Sequence, residues 1–239
     1  MMTERKKTYY GVSVGILMVK THFRRYLGDI GHAGTWPFPV QYRIVEDAVP
    51  AKMTELHNAS LLEPFKRAAR ELVDAGVDGI TTTCGFLSIY QQELADYCGV
   101  PVATSSLLQV PLVKRLIASD RQVGILTYNG DALSGQYLEA VGIAADTPVY
   151  GMPQDSEFVR SIKEGDDNVS YATLKDEVLA LAGKMIAENP KIGAIVSECT
   201  NLAPFTADIQ ERFGVPVYDT VSMVNWFHAG LRPRRYAPE

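Results

Sequence analysis

Sliding the sequence along itself by 115 positions lays Cys84 on Cys199, Leu87 on Leu202, and Val77-Asp78-Gly79-Ile80 on Ile192-Gly193-Ala194-Ile195. Without a gap, the same shift lays Gly99-Val100-Pro101-Val102 on Gly214-Val215-Pro216-Val217. Val14-Gly15-Ile16-Leu17 recurs as Val123-Gly124-Ile125-Leu126 at the nearby offset of 109. A repeat of this kind restricts the fold more than any local pattern does, because each half must close as the same supersecondary unit. It also places one thiol at an equivalent point in each half.

Each unit reads as alternating short strands and helices. The apolar run Val12 to Val19, the stretch Val40 to Val45 and the β-branched Val77 to Thr83 predict strands, with Pro101 to Ala103 a fourth. Gly28 to Pro39 predicts irregular chain. Ser60-Leu61-Leu62-Glu63 has the form of a capping box ahead of Leu62, Phe65, Ala69 and Leu72 at helical spacing, and Gly76 is the expected stop. Tyr90, Leu94 and Tyr97 predict a helix ending at Gly99; Ser105 predicts a cap for a helix carrying Leu108, Leu112 and Leu116. The second unit restarts at Arg121, with strands at Val123 to Leu126, Pro148 to Tyr150, Ile192 to Val196 and Val215 to Tyr218. Asp131 is the expected cap of a helix ending near Gly142. Glu164 to Asn168 reads as a solvated acidic loop, and Leu174, Val178, Leu181 and Met185 share one face of a long helix. The last helices carry Phe205 and Ile209, then Trp226, Phe227 and Leu231.

Such a βαβ series predicts parallel sheets with helices on their faces. No Pro-, Gly- or Ser-rich linker separates the halves, so they are expected to pack tightly. The helix after Pro111 crosses over and the C-terminal helix returns, giving lobes of 1–113 plus 219–239 and of 114–218.

With 239 residues, a formal charge of −5 and 21% charged residues, the chain has the make-up of an acidic globular protein. Nucleic acid and anionic membranes are not expected partners, since both call for clustered positive charge. The basic cluster Arg232, Arg234 and Arg235 reads as a solvated tail. No apolar run reaches the roughly 18 residues of a membrane span, and the polar start Thr3-Glu4-Arg5-Lys6-Lys7 lacks a signal-peptide pattern, so a cytoplasmic location and reduced thiols are expected.

Cys84 and Cys199 each follow a predicted strand and open a helix. Ligands of parallel α/β sheets bind at that end of the strands. Helix N-terminal N–H groups favour a thiolate there and also bind carboxylates. Two thiols on opposite sides of one cleft suit proton removal from one face of a carbon and delivery to the other. A buried Cys is often only a small hydrophobe, which is the reading for Cys98, the partner of Phe213 in the repeat. No close Cys or His pair has metal-ligand spacing; His22, His32, His57 and His228 are scattered, and His22 stands nearest a strand end.

Thr83-Cys84-Gly85 and Glu198-Cys199-Thr200-Asn201-Leu202-Ala203-Pro204 resemble the two signatures of the aspartate/glutamate/hydantoin racemase superfamily, over nearly the whole chain. The resemblance implies two pseudo-symmetric flavodoxin-like three-layer α/β lobes with the active site between them. It implies no pyridoxal phosphate, no other cofactor and no metal, and commonly a homodimer or higher homo-oligomer. Cys84 and Cys199 would be the two acid/base residues. Thr83, Gly85, Phe86, Thr127, Tyr128, Asn129, Thr200 and Asn201 would bind a small carboxylate substrate. The expected activity is racemisation or epimerisation at the α-carbon. Gly85-Phe86 and Met18-Val19-Lys20 depart from the Asn-Thr and Asp-Ser-Gly of glutamate racemases. Cys84-Gly85-Phe86 followed by a hydrophobic residue is also similar to algal dimethylsulfoniopropionate lyases of the superfamily, which implies a cysteine base in a β-elimination. Phe86, Tyr90 or Trp36 would then face a sulfonium. Maleate-type cis-trans isomerases also have two thiols, while arylmalonate decarboxylases keep one. A non-catalytic small-ligand binder is the reading from outside the enzymes.

Overall fold

A computed structural model describes residues 7, 9–53, 59–133 and 135–237. The first sheet holds β1 (Val14–Val19), β2 (Val40–Val45), β3 (Gly79–Thr82) and β4 (Val102–Ala103), in the order β2-β1-β3-β4. The second holds β5 (Gln122–Thr127), β6 (Val149–Gly151), β7 (Ile192–Ser197) and β8 (Val217–Tyr218), in the order β6-β5-β7-β8. All pairings are parallel, and the two orders are the same order shifted by one half of the chain. This is a doubled flavodoxin-like α/β fold.

The helices are α1 (Pro50–Met53), α2 (Leu62–Ala75), α3 (Gln91–Cys98), α4 (Val110–Leu116), α5 (Gly135–Glu139), α6 (Glu157–Glu164), α7 (Tyr171–Glu188), α8 (Thr206–Phe213) and α9 (Thr220–Leu231). Helix α2 buries Phe65, Ala69 and Leu72 on the first sheet; α7 buries Leu174, Val178, Leu181 and Met185 on the second. Each of these side chains larger than alanine contributes about 1.5–3 kcal/mol when fully buried. The repeated Val-Gly-Ile-Leu has a packing cause. A Cβ on Gly15 would lie 3.0 Å from Leu72, and one on Gly124 would lie 2.5 Å from the Met185 sulfur. The central strand of each sheet thus needs a glycine under its covering helix. The paired Gly99 and Gly214 end α3 and α8 in the left-handed conformation, at φ 68° and 66°, where glycine is the least strained residue.

Core residues Leu107, Val110 and Val113 pack with Val123 and Ile125 of the second half, whereas Met223 and Val224 of α9 pack with Val14 and Ile16 of the first. The chain therefore crosses between the sheets twice.

Several local expectations give way. The N-cap position of α2 is Leu61, already in helical dihedrals because a 3-10 turn (Ala59–Leu61) feeds the helix, so a capping box has no place to form. Leu112 and Leu116 are exposed; the segment opens as a 3-10 turn (Ser106–Gln109), which tightens the spacing and turns Leu107, Val110 and Val113 inward instead. Asn129, not Asp131, closes the turn after β5, its Oδ1 accepting from the N–H groups of Asp131 and Ala132. Glu164 ends α6, a helix capped by Ser156 that the acidic composition concealed; Arg160 pairs with Glu157, Glu164 and Asp166. Trp226 is exposed while Phe227 packs inward, and the terminal arginines are exposed as expected. No helix among the described residues is long and apolar enough to cross a membrane.

Candidate active site

The two sheets deliver their cysteines by the same local device. Beyond β3, the Thr83 N–H donates to Leu17 O at 3.0 Å; beyond β7, the Glu198 N–H donates to Leu126 O at 2.7 Å. These bonds extend the ladders by one residue and fix the chain entering each cysteine. Cys84 and Cys199 then occupy the N-cap positions of 3-10 turns, Gly85–Tyr90 and Thr200–Phe205. Each turn closes with the same 3.1 Å bond, Leu87 N–H to Cys84 O and Leu202 N–H to Cys199 O. The halves are tied at this point: the Thr200 hydroxyl donates to Thr83 O at 2.9 Å, and the Ser106 hydroxyl to Ser197 O at 2.6 Å.

Cys84 and Cys199 both border one cleft. Cys84 is half-buried and Cys199 buried, and neither is in a disulfide. The N–H donors expected at a helix start are present: Phe86 and Leu87 for Cys84, and Asn201 for Cys199. They do not produce low thiol pKa values, because desolvation outweighs them. Burial first, and the Glu198 charge second, push Cys84 up to about 12 and hold Cys199 well above its ordinary value.

Glu198 is the feature that the residue pattern did not mark. Its side chain is 1% exposed and borders the cleft. One carboxyl oxygen accepts from the Thr127 hydroxyl. The other lies so close to Gly85 that a Cβ there would come within 2.1 Å of it. Gly85 is thus required for room. Burial pushes the Glu198 carboxyl up to about 7 against the opposing Thr127 bond.

A second polar group borders Cys199. The Asn201 side-chain oxygen accepts a hydrogen bond from the Cys199 thiol at 3.8 Å, and the Asn201 side-chain N–H donates to Asp29 at 2.7 Å. Asp29 is buried and also pairs with Arg25 at 2.6 Å. The Arg25 guanidinium stacks over Phe23, 4.6 Å from the ring centre. Across the cleft, the Tyr128 hydroxyl is the buried side-chain polar atom without a hydrogen-bond partner among the described residues. Burial, then the nearby Cys199, push it up to about 12, so it is a neutral donor.

Of the residues expected at the site, Thr83, Cys84, Gly85, Phe86, Tyr128, Cys199, Thr200 and Asn201 border this cleft. Thr127 does not; it reaches the site through Glu198. Asn129 lies in a wider adjoining groove with Lys20, His22 and Lys163. Tyr90 packs on the first core, and Trp36 is buried beside Val14 and Ile16 with its indole N–H donating to Ile30 O at 3.2 Å, so neither faces the thiols. His32 accepts from the Gly34 N–H, His228 stacks on Phe38, and His57 lies outside the described residues. Phe23, Arg25, Met53 and Ile162 join the wall from segments without a motif. Among the described residues, no group of three or more His, Cys, Asp or Glu could hold a metal ion.

No family model matches the chain. A dimethylsulfoniopropionate lyase of Durusdinium sp. clade D is 30% identical over 230 residues, spanning 92% of this chain and 75% of that protein. Dimethylsulfoniopropionate lyases 5 and 3 of Emiliania huxleyi are 27% and 28% identical. The matches span 91% and 92% of this chain but 45% and 60% of those longer proteins. Among solved structures, unliganded arylmalonate decarboxylase superposes with a TM-score of 0.64 at 14% identity, covering 96% of each chain. A glutamate racemase from Francisella tularensis subsp. tularensis SCHU S4, in complex with D-glutamate, gives 0.59 at 17%, covering 95% of this chain and 86% of that one. Picrophilus torridus aspartate racemase gives 0.58 at 14%, covering 95% and 96%. At these identities the structural likeness is one of fold.

Proposed function

Because the chain belongs to the dimethylsulfoniopropionate lyase family, we propose that it is a lyase that eliminates dimethyl sulfide from a small sulfonium carboxylate of the dimethylsulfoniopropionate type. The observation that carries the reading is the opening of both thiols onto one aromatic-walled cleft in a chain with this relative. A thiolate from the Cys84 and Cys199 pair takes the proton α to the carboxylate. The released electron pair forms the double bond as the bond from the β-carbon to sulfur breaks. Dimethyl sulfide leaves neutral with that bonding pair, acrylate remains, and the thiol proton passes to solvent.

The walls suit both ends of such a zwitterion. Phe23 and Phe86 border the cleft, and cation–π attraction of an aromatic ring for a sulfonium is worth about 0.5–2 kcal/mol. The Tyr128 hydroxyl offers a buried donor to the carboxylate, where charge builds as the proton leaves.

The experiment is proton NMR of the protein with dimethylsulfoniopropionate in heavy water. Vinyl signals of acrylate with free dimethyl sulfide support the lyase. The expectation of a racemase or epimerase rests on the paired thiols and the shared fold. It predicts α-deuteration of a chiral small carboxylate without vinyl signals. A protein that does neither is not an enzyme of this class.

A further inference from the structure

A thiol held as high as Cys84 has almost no thiolate at neutral pH, so the cleft needs a proton acceptor close to its sulfurs. Three observations converge on one side chain. The Glu198 carboxylate acts electrostatically on both sulfurs. Its room is secured by the missing side chain of Gly85, the residue next to Cys84. Its place in the repeat is taken in the first half by Thr83, whose hydroxyl accepts from the Val19 N–H at 2.9 Å. One acid therefore serves two thiols.

We propose that Glu198 is the proton relay of the site: it accepts the proton of a cysteine thiol and later gives it to water in the cleft. In the first step the S–H bond breaks, an O–H bond forms on Glu198, and the electron pair stays on sulfur. The thiolate then takes a proton from substrate, restoring S–H, and Glu198 releases its own proton. One proton leaves per turnover, as the elimination requires. Glu198 and the reacting cysteine share at most one negative charge, on oxygen or on sulfur, instead of two that repel; both are neutral between the proton abstraction and the release from Glu198.

The groups facing this carboxyl are few. Thr127 approaches from β5, Cys84 and Gly85 from the first 3-10 turn, Cys199 from the second, and Tyr128 from the loop after β5. The charged neighbours Arg25 and Asp29, on the loop after β1, pair with each other. The carboxyl titrating near pH 7 is therefore Glu198.

The relay rests on the lyase reading only for its turnover arm; a substrate-free arm tests it independently. Iodoacetamide labelling of Cys84 and Cys199 is followed by mass spectrometry from pH 5 to 10, in the wild type and in Glu198→Gln. A relay makes the wild-type rate climb to about pH 7 and then level off, since the thiolate paired with a protonated carboxyl has a constant population above that point. Glu198→Gln loses the level stretch and climbs about tenfold per pH unit. Thr127→Val keeps the carboxyl and removes its donor, so the step moves to higher pH. In turnover, Glu198→Gln loses on the order of 10²–10⁴ in kcat with KM within a few-fold, although its thiols, freed from a neighbouring charge, alkylate faster above pH 7, where the wild-type carboxyl is ionised. A single slope in both proteins, a step that Thr127→Val leaves in place, or full turnover in Glu198→Gln overturns the relay. A wild type that labels in two steps but makes no acrylate keeps the relay and removes the lyase reading.

Discussion

Replacing Gly85 by alanine adds one methyl group at the tightest contact of the cleft. The new Cβ would lie 2.1, 2.6 and 2.7 Å from Oε1, Cδ and Cγ of Glu198, its three nearest neighbours. All are far inside van der Waals distance, so the carboxyl must move and give up its bond from Thr127. Overpacking costs about 1–3 kcal/mol, and a lost hydrogen bond to a charged group costs about 1.5–3 kcal/mol. A total of about 3 kcal/mol lowers Tm by about 6–12 °C in a chain of this size. The same substitution in a Glu198→Ala background meets none of those three atoms and should cost under about 1 kcal/mol. A double-mutant cycle by urea denaturation of the four proteins therefore gives a coupling of about 2 kcal/mol. Additivity within about 0.5 kcal/mol would refute the contact and the account of the Cys-Gly pair built on it.

Cys84→Ser and Cys199→Ser should each reduce acrylate formation on the order of 10²–10⁴-fold while leaving circular dichroism unchanged; retained turnover in both removes the thiols from the chemistry. Tyr128→Phe should raise KM about tenfold, the worth of one hydrogen bond. The same variant should keep or slightly raise Tm, since the hydroxyl has no partner to lose. Stability should depend on Glu198 with a definite sign. Its folded pKa, about 7, lies above the ordinary carboxyl value of 4.5, so the native state holds the proton more tightly. The contribution is full below about pH 4.5 and is lost as pH rises through 7, on the order of 3 kcal/mol in all. Denaturation of Glu198→Gln across that range should lack this fall.

The repeat made the topology legible, because a duplicated βαβ unit leaves few ways to pair short parallel strands. Both cysteines were legible for the same reason. Glu198 was visible as part of a signature but carried no role. Its importance comes from a contact with Gly85, more than a hundred residues away in sequence, and from burial, neither of which has a local signature. The only cue was a carboxylate directly after the apolar strand Ile192–Ser197. Leu112 and Leu116 misled for a different reason: a 3.6-residue period was applied to a segment that opens with three residues per turn. Asp29 lies in a stretch whose glycines and prolines announce only irregular chain, and Phe23 and Arg25 in the loop just before it, so periodicity could not place them.

A catalyst that interconverts mirror images must treat left and right even-handedly, and a doubled scaffold provides that parity at the outset. Here the parity is broken around the matched thiols, where Thr83 falls on Glu198, Gly85 on Thr200 and Phe86 on Asn201. Such a bias would be no handicap for the proposed elimination, whose planar product has no handedness to balance. Side chains around two matched thiols can thus differ from half to half while the strands of both sheets keep the same order.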